Sequence, residues 1–255
     1  MPLALAVAAA SIGGSPVPAE AQRIEPADAR FWGAAAATIA LAAVFDDPLR
    51  DGLRSRGGSE GIDDVSRVGD ALGRGAYIVP GLALSYLSAR VARRERWARA
   101  TLHVAAGYAA ANLVVSALKP VVGRERPYTS GSPGGFHPFT QVGDYHSFPS
   151  GHVAHAAAIA VGVTEYAGER RRWVAPLCYG AVGLVAWQRM YADQHWASDA
   201  AAGATVGVVA STTVLRWLER RAARDSGDGT ARLRVMPLPG LAGGGGVGLA
   251  LTITR

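Results

Sequence analysis

KPVVGRERP at residues 119–127, FPSGH at 148–152 and RMYADQHWASD at 189–199 belong to one stretch, and its reading decides how this chain folds. Among its charges the stretch carries Lys119, Arg126 and Arg189, three cations placed at the motifs. Ser150 and Gly151 stand ahead of an Ala-rich run, where a helix start offers free N–H groups and the positive end of its dipole to an anion. His195 has Asp199 four residues on, one helical turn away, so on a helix the two share a face and can hydrogen-bond. A carboxylate on one imidazole nitrogen fixes the tautomer and makes the other nitrogen the better nucleophile. Arg189, six residues before His195, reaches the same anion across a turn with its fork. With His152 as a second imidazole, this is equipment for holding a phosphate and breaking one of its ester bonds through a histidine. Lys119 is the only lysine against 25 arginines. In a chain that writes Arg for generic positive charge, it marks a place for a compact point charge; as the last residue of an apolar run it also suits a helix dipole.

Six apolar stretches surround these motifs, at 31–45, 76–91, 100–118, 153–164, 173–187 and 200–215. Ala, Leu and Val without strict alternation favour helices over strands. Residues 46–74 read as a charged connector with a short amphipathic helix, and 128–148 as a loop rich in Gly, Ser, Pro, His and Phe. After a polar linker at 225–230, residues 232–238 and 247–254 flank a Pro- and Gly-rich turn and read as a small β-hairpin. The expected division is a signal-like or flexible segment over 1–30, an all-α six-helix domain over 31–224, and a linker with hairpin over 225–255.

Length and composition suit one domain with a sizeable core. The net charge of +6 does not read as nucleic-acid binding. The arginines gather at 90–99, 170–172 and 216–224, each beside an apolar stretch, a pattern that suits lipid headgroups, and no nucleic-acid motif is present. Cys178 is the only cysteine, so no internal disulfide or Cys-based metal site can form, and it reads as a small buried hydrophobe. No Asp/Glu cluster suited to Mg²⁺ lies near the motifs, and neither a metal nor another cofactor is expected.

Each apolar stretch falls short of the ~20 residues that cross a bilayer upright, and mean hydropathy is only +0.14. Sign segregation nevertheless favours an integral membrane protein over a soluble periplasmic bundle. In an up-down bundle the ends carrying Lys119, Ser150 and Arg189 to His195 lie on one side and the arginine groups on the other. By the positive-inside rule the arginines are cytoplasmic and the motifs face the periplasm or exterior. Residues 3–10 are apolar and Ala19-Glu20-Ala21 offers a cleavage site before Gln22, without the basic start of a secretory signal. If that signal is cleaved, 31–45 does not span and five helices cross; if 31–45 spans, the N-terminus is cytoplasmic.

In order and spacing, Lys-x6-Arg-Pro, Pro-Ser-Gly-His and Arg-x5-His-x3-Asp resemble the type 2 phosphatidic acid phosphatase (PAP2) superfamily, which includes the vanadium haloperoxidases. The resemblance covers 119–199, with flanking helices consistent with the family's six-helix layout. It implies His195 as the nucleophile of a phosphohistidine, Asp199 as its orienting carboxylate and His152 as general acid and then base. It implies Lys119, Arg126, Ser150, Gly151 and Arg189 around the phosphoryl oxygens, and no metal. Gln188 stands where the family usually has Ser, which implies tuning of Arg189. The implied substrate is a phosphomonoester of a lipid, or an isoprenoid pyrophosphate. A soluble exported acid phosphatase, a vanadate-dependent haloperoxidase and a silent lipid-binding homologue are the alternatives.

The remaining polar residues draw plainer readings. Arg124 is expected to be a solvated bystander, and His155 to lie on the helix surface or behind the site. His137 and His146 read as solvated loop histidines, and His103 and Asn112 as satisfied core polars. Gly203 and Gly207 read as a close-packing pair, and Trp196 as an interfacial anchor or a substrate wall.

Overall fold

The computed structural model describes residues 28–55, 60–227, 232–238 and 248–254. The expected export signal and the turn of the expected hairpin lie outside them. Among the described residues there are nine α-helices: α1 (Ala29–Val44), α2 (Asp46–Arg54), α3 (Glu60–Gly73), α4 (Gly75–Val91), α5 (Glu95–Val122), α6 (Pro127–Ser130), α7 (Gly151–Tyr166), α8 (Arg171–Tyr191) and α9 (Ala197–Gly227). Six of them, α1, α4, α5, α7, α8 and α9, cover the six apolar stretches. The expected count of six is too low for a physical reason. The charged connector holds two helices, with Asp46 and Asp47 in the first turn of α2 and Glu60 and Asp63 in that of α3, where acidic side chains favour the positive helix end. Pro127 opens the single turn of α6, a position in which its missing N–H costs nothing.

The chain divides into two compact units, Met1–Leu215 and Arg216–Arg255. In the second, strands β1 (Arg232–Leu238) and β2 (Gly248–Thr254) pair antiparallel, with Arg232 opposite Thr254 and Leu238 opposite Gly248. Arg221 also lies over the ring of Trp217 there.

In the first unit α7 is the central helix. Its Val153, Ala156, Ala157 and Ala160 pack with Val182 and Val185 of α8 and Ala200 of α9, and Leu72 of α3 joins them. Cys178 is half-buried against the same cluster. Small side chains set how close the helices come. A Cβ on Gly203 would lie 2.4 Å from the Ser150 carbonyl oxygen, and one on Gly207 would lie 2.3 Å from that of Ala154. The pair brings the start of α9 against the start of α7, which is where the motifs are.

Among the described residues two helices, α5 and α9 over Ala197–Arg224, are long and apolar enough to cross a membrane. The pair α1 and α2, bent by 52° at its break, would make a third. Leu84, Leu87, Leu113 and Leu177 are each more than half exposed, an outward apolar surface that suits lipid.

Candidate active site

Three chain reversals bring the motifs together. At the end of α5, Gly123 adopts φ +62° and its N–H returns to the Lys119 carbonyl. A Cβ there would fall 1.8 Å from the His137 carbonyl oxygen, so only glycine fits both the backbone angle and the contact. The loop then folds back: His137 N–H donates to Gly123 O (2.7 Å), Arg126 N–H to Asp144 O (3.0 Å) and Ser147 N–H to Arg124 O (3.0 Å). Ser150 is the N-cap of α7, and its N–H donates to Asp199 O (3.0 Å). After α8, the N–H groups of Gln194 and His195 both donate to Arg189 O (3.0 and 3.2 Å), which holds Arg189 and His195 on one turn.

His195 therefore precedes α9 instead of sharing a helix face with Asp199. Its Nδ1 lies 3.7 Å from Asp199 Oδ2, in ion-pair range but beyond a hydrogen bond, which corrects the expected direct bond. Ser147 stands between them. Its Oγ donates to Asp199 Oδ2 (2.5 Å) and lies 3.5 Å from His195 Nδ1. The Trp196 N–H also donates to Asp199 Oδ2 (2.9 Å). With Nδ1 turned to this group, Nε2 is the nitrogen left for a ligand. Burial pushes the His195 pKa down to about 3, against the pull of Asp199, so the ring is a neutral base at ordinary pH.

Arg124 is no bystander. It is 5% exposed and knits three segments together. Nη1 donates to Asp199 Oδ1 (2.6 Å) and Ser198 Oγ (2.7 Å), Nη2 donates to Asp46 Oδ2 (2.8 Å), and Nε donates to Pro133 O (3.1 Å). Asp46 also accepts from the Ser198 N–H (2.9 Å) and Oγ (2.7 Å). The physical reason is desolvation: two buried carboxylates stay charged only beside a buried cation. Trp196 is likewise neither membrane anchor nor substrate wall. It is 1% exposed, bonded through Nε1 to Glu125 O (2.9 Å), with the guanidinium carbons of Arg50 and Arg124 5.5 and 5.7 Å from its ring centre.

The cations and the helix start meet this core. Lys119 Nζ donates to His146 O (2.5 Å), and its Cε passes above Gly151. Arg126 Nη1 donates to Gln194 Oε1 (3.0 Å). The charges of both Lys119 and Arg126 bear on His195. Ser150, although an N-cap by position, makes no side-chain cap bond. Ser150 Oγ, His152 Nε2 and Arg189 Nε are buried with no hydrogen-bond partner among the described residues, as is His155 Nδ1 one turn further along α7. Buried polar atoms without partners are rare in folded proteins, and here they come from the starts of α7 and the end of α8. Burial, helped by Arg189 and His195, pushes the His152 pKa down to about 3.

The plainer residues fall as follows. His155 pairs with Asn112 (3.1 Å), which is exposed and not a core polar. His103 bonds Tyr166. His137 pairs with Glu125 (2.6 Å) and stacks on Tyr145, and His146 bonds Thr140 O (3.0 Å). The sequence reading missed Asp46, Ser147 and Asp70. Ser147 adjoins a motif and could have been suspected, whereas the two aspartates sit in the connector with nothing to mark them. Asp70 Oδ1 accepts from Arg189 Nη1 (3.0 Å) and lies 3.7 Å from His152 Nε2.

Residues 100–223 match the PAP2 superfamily. The chain is 30% identical over 117 residues to the lipid A 1-phosphatase of Porphyromonas gingivalis, a match covering 46% of this chain and 23% of that relative. The fold is similar to that of a transmembrane PAP2 type phosphatidylglycerolphosphate phosphatase from Bacillus subtilis (TM-score 0.58, 18% identity, 74% of this chain and 96% of that one). It is also similar to LpxE of Aquifex aeolicus (TM-score 0.50, 18% identity, 71% and 95%). The matched segment carries all three motifs, and the fold brings them together: residues 100–223 belong to the PAP2 superfamily.

Proposed function

We propose that this chain is a metal-independent phosphatase that hydrolyses the phosphomonoester of a membrane lipid through a phosphohistidine at His195. The observation that carries this reading is the trio of unpartnered buried atoms, Ser150 Oγ, His152 Nε2 and Arg189 Nε, beside a neutral His195. A phosphoryl group supplies the acceptors that Ser150 and Arg189 lack, and Lys119, Arg126 and the Gly151 N–H complete its cradle. In the first step His195 Nε2 attacks phosphorus, the P–O ester bond breaks, and His152 gives its proton to the departing alkoxide. In the second, His152 takes a proton from water, the oxygen attacks phosphorus, and the P–N bond breaks to release phosphate and neutral His195. Burial holds His152 neutral, so it gains its proton with the substrate, whose dianion offsets Arg189. These five cationic or dipolar groups then do the charge stabilisation that a metal ion does elsewhere.

The lipid substrate class is supported by the similarity to a lipid A 1-phosphatase and a phosphatidylglycerolphosphate phosphatase and by the outward leucines. The full-length chain in detergent should hydrolyse a lipid phosphomonoester faster than a soluble ester, retain activity in EDTA and be inhibited by vanadate. Loss of all activity in EDTA, or bromide oxidation with vanadate and no phosphatase activity, ends the reading.

The same reading places the arginine groups in the cytoplasm and the 128–148 loop in the periplasm or outside. In a Cys178→Ser background, Ser132→Cys should label with an impermeant thiol reagent in intact cells and Ser226→Cys should not. External labelling of both overturns this orientation.

A further inference from the structure

We propose that the Asp70 carboxylate is an internal anion, seated between Arg189 and His152 where a phosphoryl oxygen of the substrate binds, and displaced when substrate enters. The proposal rests on the reading of the pocket as a phosphate site, and concerns a residue of α3, outside the matched segment 100–223. Asp70 Oδ1 accepts from Arg189 Nη1 at 3.0 Å, while Oδ2 lies 2.5 Å from Arg74 Nη2. His152 Nε2, 3.7 Å away, is too far for a hydrogen bond. The hold on Arg189 is one-pronged, and Nε stays without a partner. A tetrahedral phosphate can take both prongs of the fork and meet His152 and Ser150 as well. Asp70 is therefore the weaker of two ligands for the same donors.

Its placement is built into the packing. A Cβ on Gly73 would lie 2.8 Å from His152 Cβ, and one on Gly69 would lie 2.7 Å from Gln188 Cβ. The two glycines let α3 lie directly on α7 and α8, and Asp70 falls where the helices carrying His152 and Arg189 meet. A cleft of about 550 Å³, lined in part by Arg67, Asp70, Arg74, Arg189 and Gln194, opens at this point and gives the carboxylate somewhere to go. Arg189, 7% exposed, is near Arg126 and Arg74, and a buried cation among like charges needs a counter-charge. Asp70 supplies it until a phosphate does.

A purely structural Asp70, one that only steers Arg189 into place, predicts the opposite sign on removal. Binding of inorganic phosphate to the full-length chain in detergent, measured by calorimetry without turnover, separates the two. Removing a competing negative charge a few ångströms from the ligand should tighten phosphate binding about tenfold in Asp70→Asn, with stronger product inhibition, and Asp70→Glu should restore the wild-type affinity. Asp70→Ser gives a second neutral replacement if the Asn variant does not fold. Equal or weaker phosphate binding in the neutral variants overturns the proposal, as does binding by neither protein. A wild type that hydrolyses lipid phosphate while Asp70→Asn binds phosphate no tighter ends this inference alone. A wild type that binds phosphate but hydrolyses nothing ends the phosphatase reading alone.

Discussion

His195→Ala should abolish turnover and the trapping of a covalent phosphoenzyme together, with a fall in kcat of roughly 10⁴-fold or more. Nε2 is the only atom of the ring free to attack, since Nδ1 faces Ser147 and Asp199. Burial holds the His195 pKa near about 3, so the nucleophile is lost only as pH falls toward that value. A titration of the His195 ring by NMR should find it neutral from roughly pH 5 upward. His152→Ala should behave differently. With alkyl phosphates both steps slow, because an unprotonated alkoxide leaves poorly. With p-nitrophenyl phosphate, whose leaving group needs little help, phosphorylation should persist and the phosphohistidine should accumulate. Asp199→Asn should cost less than His195→Ala, since it removes orientation and keeps the attacking atom. Near-wild-type turnover in His195→Ala would show that the assignment of the nucleophile is wrong.

The second large effect is expected at Arg124. Replacing it by Ala leaves Asp46 and Asp199 buried, at 2% and 0% exposure, without the cation that both of them hold. Breaking a buried ion pair from one side costs about 3–5 kcal/mol, and these groups are too deeply buried for solvent to screen the loss. Thermal unfolding in detergent should show a fall of several degrees in Tm, and kcat should fall with it because Asp199 loses its anchor. Arg124→Lys should recover little, since a single ammonium cannot reach Asp46, Asp199 and Pro133 O as the planar fork does. Adding Asp46→Ala to Arg124→Ala should return part of the stability by removing one stranded charge. An unchanged Tm in Arg124→Ala would mean that the network contributes little to the fold.

Those two predictions lie on different sides of what the sequence could tell. Lys119, Arg126, Ser150, Gly151, His152, Arg189, His195 and Asp199 were legible as candidates because each sits in a short run whose spacing is local. A helix start, a reversal after a helix, and a residue six or four positions on are all fixed by neighbours in the chain. The six apolar helices were legible for the same reason, and so was the close packing of Gly203 and Gly207, whose spacing lays them on one helical face.

Asp46 and Asp70 were not legible, and Arg124 was misread. Each gains its meaning from a partner 75 or more residues away: Arg124 with Asp46 and Asp199, and Asp70 with Arg189. In the sequence the two aspartates look like any other charges in a polar connector, and a carboxylate in solvent has no task. Only when α2 and α3 are packed against α8, with glycines shortening the approach of α3, are these charges taken out of water. Desolvation then forces them to find cations. The sequence by itself determined the helices and the local geometry of the three motifs. Which buried charges hold the motifs together was decided by tertiary packing, because the cost of burying a charge does not exist until the helices close around it.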